Sequence, residues 1–209
     1  MSGAAFLCAA VFARADITTF STPSFRGNPG TASAYCDIFT SPYGGANSPN
    51  GVAPGGIAIA NAAITQTSDA SAFLTGSGNI YDFANPTGFV LDYSGGFEVG
   101  QVVFQSRTLG SEIDYDSLFL ICNSASGIVS LPATRNPLAD PNGGVSSEWT
   151  WDLSSLGVSG FSIVFNASAS SMSLDSVMLD AAAVPEPASA ALLILFGVGL
   201  FRTRFSRCQ

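Results

Sequence analysis

The sequence contains no histidine and no lysine, and its only basic residues are seven arginines. A Ser-His-Asp triad or a Cys-His pair therefore cannot be built from this chain. The missing lysine also excludes a Ser-Lys dyad, a Schiff base and a phosphate-binding P-loop. Glycine-rich stretches such as residues 27–30 lack the flanking strand and helix of a dinucleotide-binding loop. These absences exclude several classes of enzyme, and we expect no organic cofactor.

Charge is also scarce, because charged residues make up only 11% of the chain. Between residues 16 and 183 the basic residues are Arg26, Arg107 and Arg135, and acidic residues outnumber them. Nucleic acid requires a basic surface, which such a segment lacks. We therefore expect no nucleic-acid partner.

Cysteine is limited to four residues, and Cys8 and Cys208 lie near the two ends. The central segment has only Cys36 and Cys122, which are too few for a zinc site. In an oxidising compartment these two residues could form one disulfide. Cys122 also ends the apolar run 118–121, which suits a buried free thiol equally well, so both alternatives stay open.

The first fifteen residues, MSGAAFLCAAVFARA, are apolar and end in Ala-Arg-Ala. This pattern is typical of a secretory signal that is cleaved before Asp16, although the usual basic residues at its start are missing. The length then suits a single globular domain. We predict three parts: a signal over 1–15, an exported domain over 16–183 and a tail over 184–209.

The tail begins with a stiff, extended tetrapeptide, because each proline fixes its own φ and restricts the residue before it. Its residues are Val184, Pro185, Glu186 and Pro187. Residues 188–201 follow without a charge and predict a transmembrane helix of about 21 Å. Snorkelling arginine side chains can compensate for its shortfall from the roughly 30 Å hydrocarbon core.

A basic cluster follows the predicted helix, at Arg202, Arg204 and Arg207. The positive-inside rule places this cluster in the cytoplasm and the preceding domain outside. The Val-Pro-Glu-Pro motif, the apolar helix and the basic cluster together resemble the PEP-CTERM sorting signal of Gram-negative bacteria. The resemblance implies recognition by a membrane transpeptidase called exosortase and cleavage within the proline motif. It also implies an inner-membrane intermediate that is delivered to the cell surface or the extracellular polysaccharide matrix.

Short apolar runs separated by turn residues follow one another from residue 57 onwards. Several alternate with period two, as Phe161, Ile163 and Phe165 do. Many short strands at this spacing predict a sandwich or a barrel. Residues 41–56 are predicted to be a loop. The predicted strands are 17–20, 57–65, 79–83, 88–93, 97–106, 117–122, 127–131, 147–153, 161–167 and 174–180.

Residues 97–180 resemble the jelly-roll ectodomains that precede this kind of tail. The resemblance rests on QVVFQ at 101–105, a turn at 108–110, the Trp149 and Trp151 strand, and SLDSVMLD at 173–180. The fold expected is all-β, a jelly-roll-like β-sandwich followed by one transmembrane helix. The last strand is also similar to that of carbohydrate-binding jelly rolls, many of which bind a structural calcium ion near it. This resemblance implies Asp175 as a calcium ligand.

Paired carboxylates are one candidate site. Asp114 and Asp116 would lie on the same side of a strand, about 7 Å apart. Such a pair suits a glycosidase or a calcium ion. A solvated turn before the next strand explains the same residues.

Aromatic side chains are the other candidate, since sugar rings stack on flat aromatic faces. Trp149 and Trp151 are the main residues for such a platform, and the others are Tyr81, Tyr93 and Tyr115. Both tryptophans share a face with Leu153, which favours a core position instead.

These observations predict an exported, non-enzymatic surface protein with a structural or adhesive sandwich. One alternative is a carbohydrate-binding module of the polysaccharide matrix. The other is a glycoside hydrolase or lyase that uses paired carboxylates. The partners expected are the secretion machinery, an exosortase, the membrane and an extracellular polysaccharide.

Overall fold

The computed structural model describes residues 17–59 and 61–185. They form one short 3-10 helix, Ile17–Thr19, and twelve strands. The strands are β1 Thr31–Cys36, β2 Ala62–Gln66, β3 Phe73–Leu74, β4 Ile80–Tyr81, β5 Gly88–Ser94, β6 Val99–Gly110, β7 Ile113–Ser124, β8 Gly127–Pro132, β9 Thr134–Leu138, β10 Val145–Asp152, β11 Gly160–Ala167 and β12 Met172–Ala183. Within these ranges no helix has the length and apolarity needed to cross a bilayer. The predicted signal at 1–15 and helix at 188–201 lie outside the described residues.

The strands form two antiparallel sheets. The seven-stranded sheet has the order β3-β4-β12-β6-β10-β9, and β1 pairs with β12 beside β4. The five-stranded sheet has the order β2-β5-β11-β7-β8. The prediction of an all-β sandwich is therefore confirmed.

The core lies between the two sheets. Phe104 of β6 packs against Phe165 of β11 with ring centroids 5.5 Å apart, which joins one sheet to the other. Phe89 stacks on Phe165 within the five-stranded sheet, and Trp149 stacks on Phe104 within the seven-stranded sheet. The period-two alternation explains this arrangement, because alternate side chains of each strand point to the same face.

Strand β12 is buried on both faces along most of its length. Its inner residues, such as Leu179, join the core, while Asp180 points to the outer face of the sheet. Residues 17–30, which we call the N-terminal strap, run across this outer face. Ser21 donates its N–H to the Gln105 side-chain oxygen at 2.6 Å, and Gln105 donates back to the Ser21 carbonyl at 3.1 Å.

Most predicted strands are present, with shifted ends, and the predicted loop over 41–56 is irregular in the structure. The strand predicted at 17–20 is wrong, because Phe20 donates to the Ile17 carbonyl and closes a 3-10 turn. The strand predicted at 57–65 begins only at Ala62. Strands β1, β3 and β9 were not predicted from the sequence.

The turn predicted at 108–110 is also displaced, because β6 continues to Gly110. Gly110 has a φ of 75°, and a Cβ atom there would lie 2.2 Å from the Ser171 carbonyl oxygen. Only glycine combines this backbone conformation with such a close approach. The chain therefore reverses at residues 111–112, after the turn predicted at 108–110.

Candidate functional site

Asp175 belongs to a buried ionic cluster on the outer face of the seven-stranded sheet. The register of β12 against β6 shifts between Leu174 and Ser176, so Asp175 is the extra residue of a β-bulge. A bulge redirects a side chain, and here the Asp175 carboxylate accepts a hydrogen bond from Arg107 Nη1 at 2.7 Å. Asn79 donates to its other oxygen at 2.9 Å. A guanidinium group at this distance disfavours the calcium ion that the jelly-roll resemblance implied at Asp175.

Arg107 also binds Asp140, with Nε 2.7 Å from the carboxylate. The side chains of Arg107, Asp140 and Asp175 are all nearly inaccessible to solvent. Burial by itself raises the pKa of Asp140, but hydrogen bonds from Arg107 and the Asn142 N–H outweigh it and hold that pKa below its usual value. The cluster pins the loop that contains Asp140 against the sheet.

A second buried ion pair fastens the N-terminal strap. Arg26 donates through Nε and Nη2 to the two oxygens of Asp180, each at 2.7 Å. Fork-like pairing of this kind is geometrically specific. The strap is thus attached to β12, the strand that leads into the tail.

Trp149 and Trp151 are core residues. Their side chains are only 1% and 5% exposed, and Trp151 Nε1 donates to the Leu131 carbonyl at 3.2 Å. A sugar ring cannot reach either indole face. The prediction of sugar stacking at these two residues is wrong, because both point inward with Leu153.

Asp114 and Asp116 lie in an irregular part of β7. The six residues of β7 from Asp114 to Phe119 lie opposite only the three residues of β11 from Val164 to Asn166, so the segment bulges outward. Asp116 donates its N–H to the Asp114 side chain at 3.2 Å. Together with Glu112 they line an open depression of about 360 Å³. Both carboxylates come from one bulged segment of a single strand, whereas a glycosidase holds its two carboxyl groups on opposite sides of the scissile bond.

Two of the tyrosines named as platform candidates are engaged in other contacts. Tyr93 is buried against Phe161. Tyr115 donates to Glu112, and the guanidinium carbon of Arg135 lies 3.9 Å from the centre of its ring. Burial and the Glu112 hydrogen bond raise the pKa of Tyr115 to about 12. Arg135 covers the ring face that a sugar would use.

The structure has both central cysteines as free, buried thiols. Cys36 lies in β1 of the seven-stranded sheet and Cys122 lies in β7 of the other sheet. The disulfide alternative is therefore wrong and the free-thiol alternative holds. Burial raises the pKa of the Cys36 thiol to about 12, so this residue stays protonated and unreactive.

An exposed aromatic cluster stands at the β3 edge of the seven-stranded sheet, and it consists of Phe73, Tyr81 and Phe83. Phe73 and Phe83 are 38% and 69% exposed, and their rings stack with centroids 5.4 Å apart. Tyr81 meets both rings edge-on, at 5.6 Å and 4.5 Å. Of these three residues, only Tyr81 was predicted from the sequence as part of a sugar-stacking platform. The apolar pair 73–74 and the Tyr-x-Phe spacing at 81–83 were signals that could have identified the other two rings.

The start of the tail is part of the folded sheet. Ala183 donates its N–H to the Gly30 carbonyl at 2.7 Å, and Val184 donates to the Glu98 carbonyl at 2.9 Å. Val184 and Pro185 line a groove of about 810 Å³ together with Gln101. Glu186, Pro187 and the three arginines of the predicted sorting signal lie outside the described residues.

The buried Asp82 carboxylate should make the stability of the fold depend on pH. Its carboxylate accepts hydrogen bonds from Ser71 Oγ and the N–H groups of Ala84 and Asn85, and these outweigh burial and lower its pKa. A lowered pKa stabilises the fold above the unfolded value of about 3.9, and this stability is lost as the pH falls through the folded pKa. Urea unfolding should therefore show wild type more stable than D82N at pH 7, with a gap that narrows below about pH 4. A gap independent of pH would contradict this assignment.

Comparison with family models, curated proteins and solved structures found no match for this chain. Within the described ranges, no group of three or more acidic or cysteine side chains is arranged to hold a metal ion.

Proposed function

We propose that this chain is an exported, non-enzymatic surface protein whose jelly-roll-like sandwich has a structural or adhesive role. Its C-terminal tail is an exosortase substrate that holds the protein in the inner membrane until it is processed. The protein is then delivered to the cell surface or the polysaccharide matrix. The tail motif and its resemblance to the PEP-CTERM signal support this proposal.

The observation on which the proposal depends is the connection between the sandwich and the tail. The sorting motif begins at Val184, directly after β12, and Val184 is still hydrogen-bonded to the sheet. β12 pairs with β6 along nearly its whole length and with β1 over six residues. A membrane anchor at this end is therefore attached to a strand that pairs with three others, β6, β1 and β4.

The sorting role can be tested by replacing Pro185, Glu186 and Pro187 with alanine in the full chain. We expect the variant to remain in the inner membrane at precursor size, because the stiff acidic motif that the transpeptidase reads is gone. The measurement is fractionation of a Gram-negative host that contains an exosortase, followed by immunoblotting. A variant in which the exposed Pro137 and Pro141 are replaced by alanine is the matched control. Normal surface delivery of the tail variant would refute the sorting proposal.

The exposed aromatic cluster favours carbohydrate binding as a second candidate function. An extracellular matrix is rich in polysaccharide, and large exposed aromatic groups at a sheet edge are a liability unless they serve an interaction. This candidate does not require enzymatic activity. It is compatible with the sorting proposal, since both place the sandwich outside the cell.

A further inference from the structure

We propose that Phe73, Tyr81 and Phe83 form a binding site for the sugar rings of an uncharged polysaccharide. The site deepens the carbohydrate-binding candidate and rests on it. The π-face of an aromatic ring is negative, so it attracts the partly positive C–H groups on one face of a pyranose ring. Phe83 presents the most exposed ring of the cluster, and Phe73 continues the apolar surface beside it.

The cluster stands on a fixed support. Tyr81 of β4 pairs with Phe73 of β3 on one side and with Ser173 of β12 on the other. Asp82, between two of the rings, is buried and anchored by Ser71 Oγ at 2.7 Å. A platform that is ordered before binding loses little conformational entropy when a ligand arrives.

Charge indicates which polysaccharide the site accepts. Between residues 17 and 185 the sequence has three arginines and thirteen acidic residues. Arg26 and Arg107 are buried in ion pairs, and Arg135 lies over Tyr115. An acidic surface of this kind repels polyanions, so a uronic-acid or sulfated polymer is disfavoured. Stacking on a neutral sugar needs no countercharge.

The size of the cluster argues against a second copy of the chain as the occupant. An aromatic side chain offers about 150–250 Å² of surface, so the exposed parts of these rings amount to roughly 200–300 Å². A stable protein interface needs about 800 Å² from each partner. Strands β3 and β4 are only two residues long and add little backbone for edge-to-edge pairing. One or two sugar rings match the available surface better.

The test is binding of the purified full chain to immobilised neutral glucan, mannan and galactan, with a uronic-acid polymer beside them. We expect wild type to bind at least one neutral polymer, and F83A to bind it about tenfold more weakly. F83Y keeps the ring and should bind within about twofold of wild type, whereas F83L keeps apolar bulk and should behave like F83A. I128A removes an apolar side chain on the β7–β8 hairpin that is even more exposed than Phe83, and it should leave binding unchanged.

Failure of the aromatic site and failure of carbohydrate binding as a whole would give different results. Unchanged binding by F83A would overturn this site but leave carbohydrate binding in place. No binding of wild type to any neutral polymer, or binding to the uronic-acid polymer alone, would overturn both the site and the carbohydrate-binding candidate. Neither result affects the sorting proposal, which is measured by the location of the tail variant. Thermal unfolding of F83A should match wild type, since the ring is mostly exposed.

Discussion

Replacing Arg107 with alanine should lower the free energy of unfolding by about 3–5 kcal/mol, because it leaves two buried carboxylates without a cation. Arg107 lies 2.7 Å from both Asp140 and Asp175, and all three side chains are shielded from water. The attraction between Arg107 and the two carboxylates in the wild-type protein is not the main contribution to this loss of stability. The large cost comes from desolvated charges that have lost their partner. Urea unfolding at pH 7 measures the effect.

The matched control is R135A, which removes the same side chain from an exposed position. Arg135 makes a cation-π contact with Tyr115, and contacts of this kind at exposed sites contribute about 0.5–1 kcal/mol. A triple variant, R107M with D140N and D175N, removes the buried charges together and should recover much of the stability lost in R107A. If R107A costs less than about 1 kcal/mol, the ionic cluster is not buried as described.

Replacing Trp149 with alanine should cost about 3–5 kcal/mol of unfolding free energy, as large-to-small changes of buried aromatic residues do. The indole stacks on Phe104 and lies 6.4 Å from the ring of Tyr115. Removing it leaves a cavity in the centre of the sandwich that the neighbouring rings cannot fill. Denaturant unfolding and loss of near-ultraviolet circular dichroism report the change.

I128A is the control for this second variant. Ile128 is 81% exposed, so its replacement should change stability by no more than about 0.5 kcal/mol. The comparison also decides between the two roles that the sequence allowed for Trp149. A stable W149A variant with weakened polysaccharide binding would contradict the core assignment and restore the sugar-stacking interpretation.

Strand prediction succeeded where one face of a strand is apolar and the other polar. β10 and β11 alternate in this way, so the inward positions of Trp149 and Phe165 followed from period two. β1 has the sequence TASAYC, whose small and polar residues give no such signal. β9 contains an asparagine and a proline, which are unfavourable in strands in general but acceptable at the sheet edge it occupies.

The candidate sites were less predictable than the strands. The sequence identifies carboxylates and aromatic rings but does not show which of them are paired or exposed. Asp175 was proposed as a calcium ligand because of its place near the last strand. Its actual partners, Arg107 and Asn79, come from distant parts of the chain, so the sequence could not show them. Phe73 and Phe83 were overlooked because their signals, an apolar pair and a single Tyr-x-Phe spacing, are too short to assign a strand face.

The sequence by itself determined the chemistry that this chain lacks, the all-β class and the inward faces of its alternating strands. These depend on residue identity and on the local geometry of a strand. Only the tertiary structure decided that β12 is buried on both faces, that Arg26, Arg107 and Arg135 are engaged by other side chains, and that three aromatic rings meet at one edge. Each of these is a contact between segments far apart in the chain, and local sequence patterns do not specify such contacts.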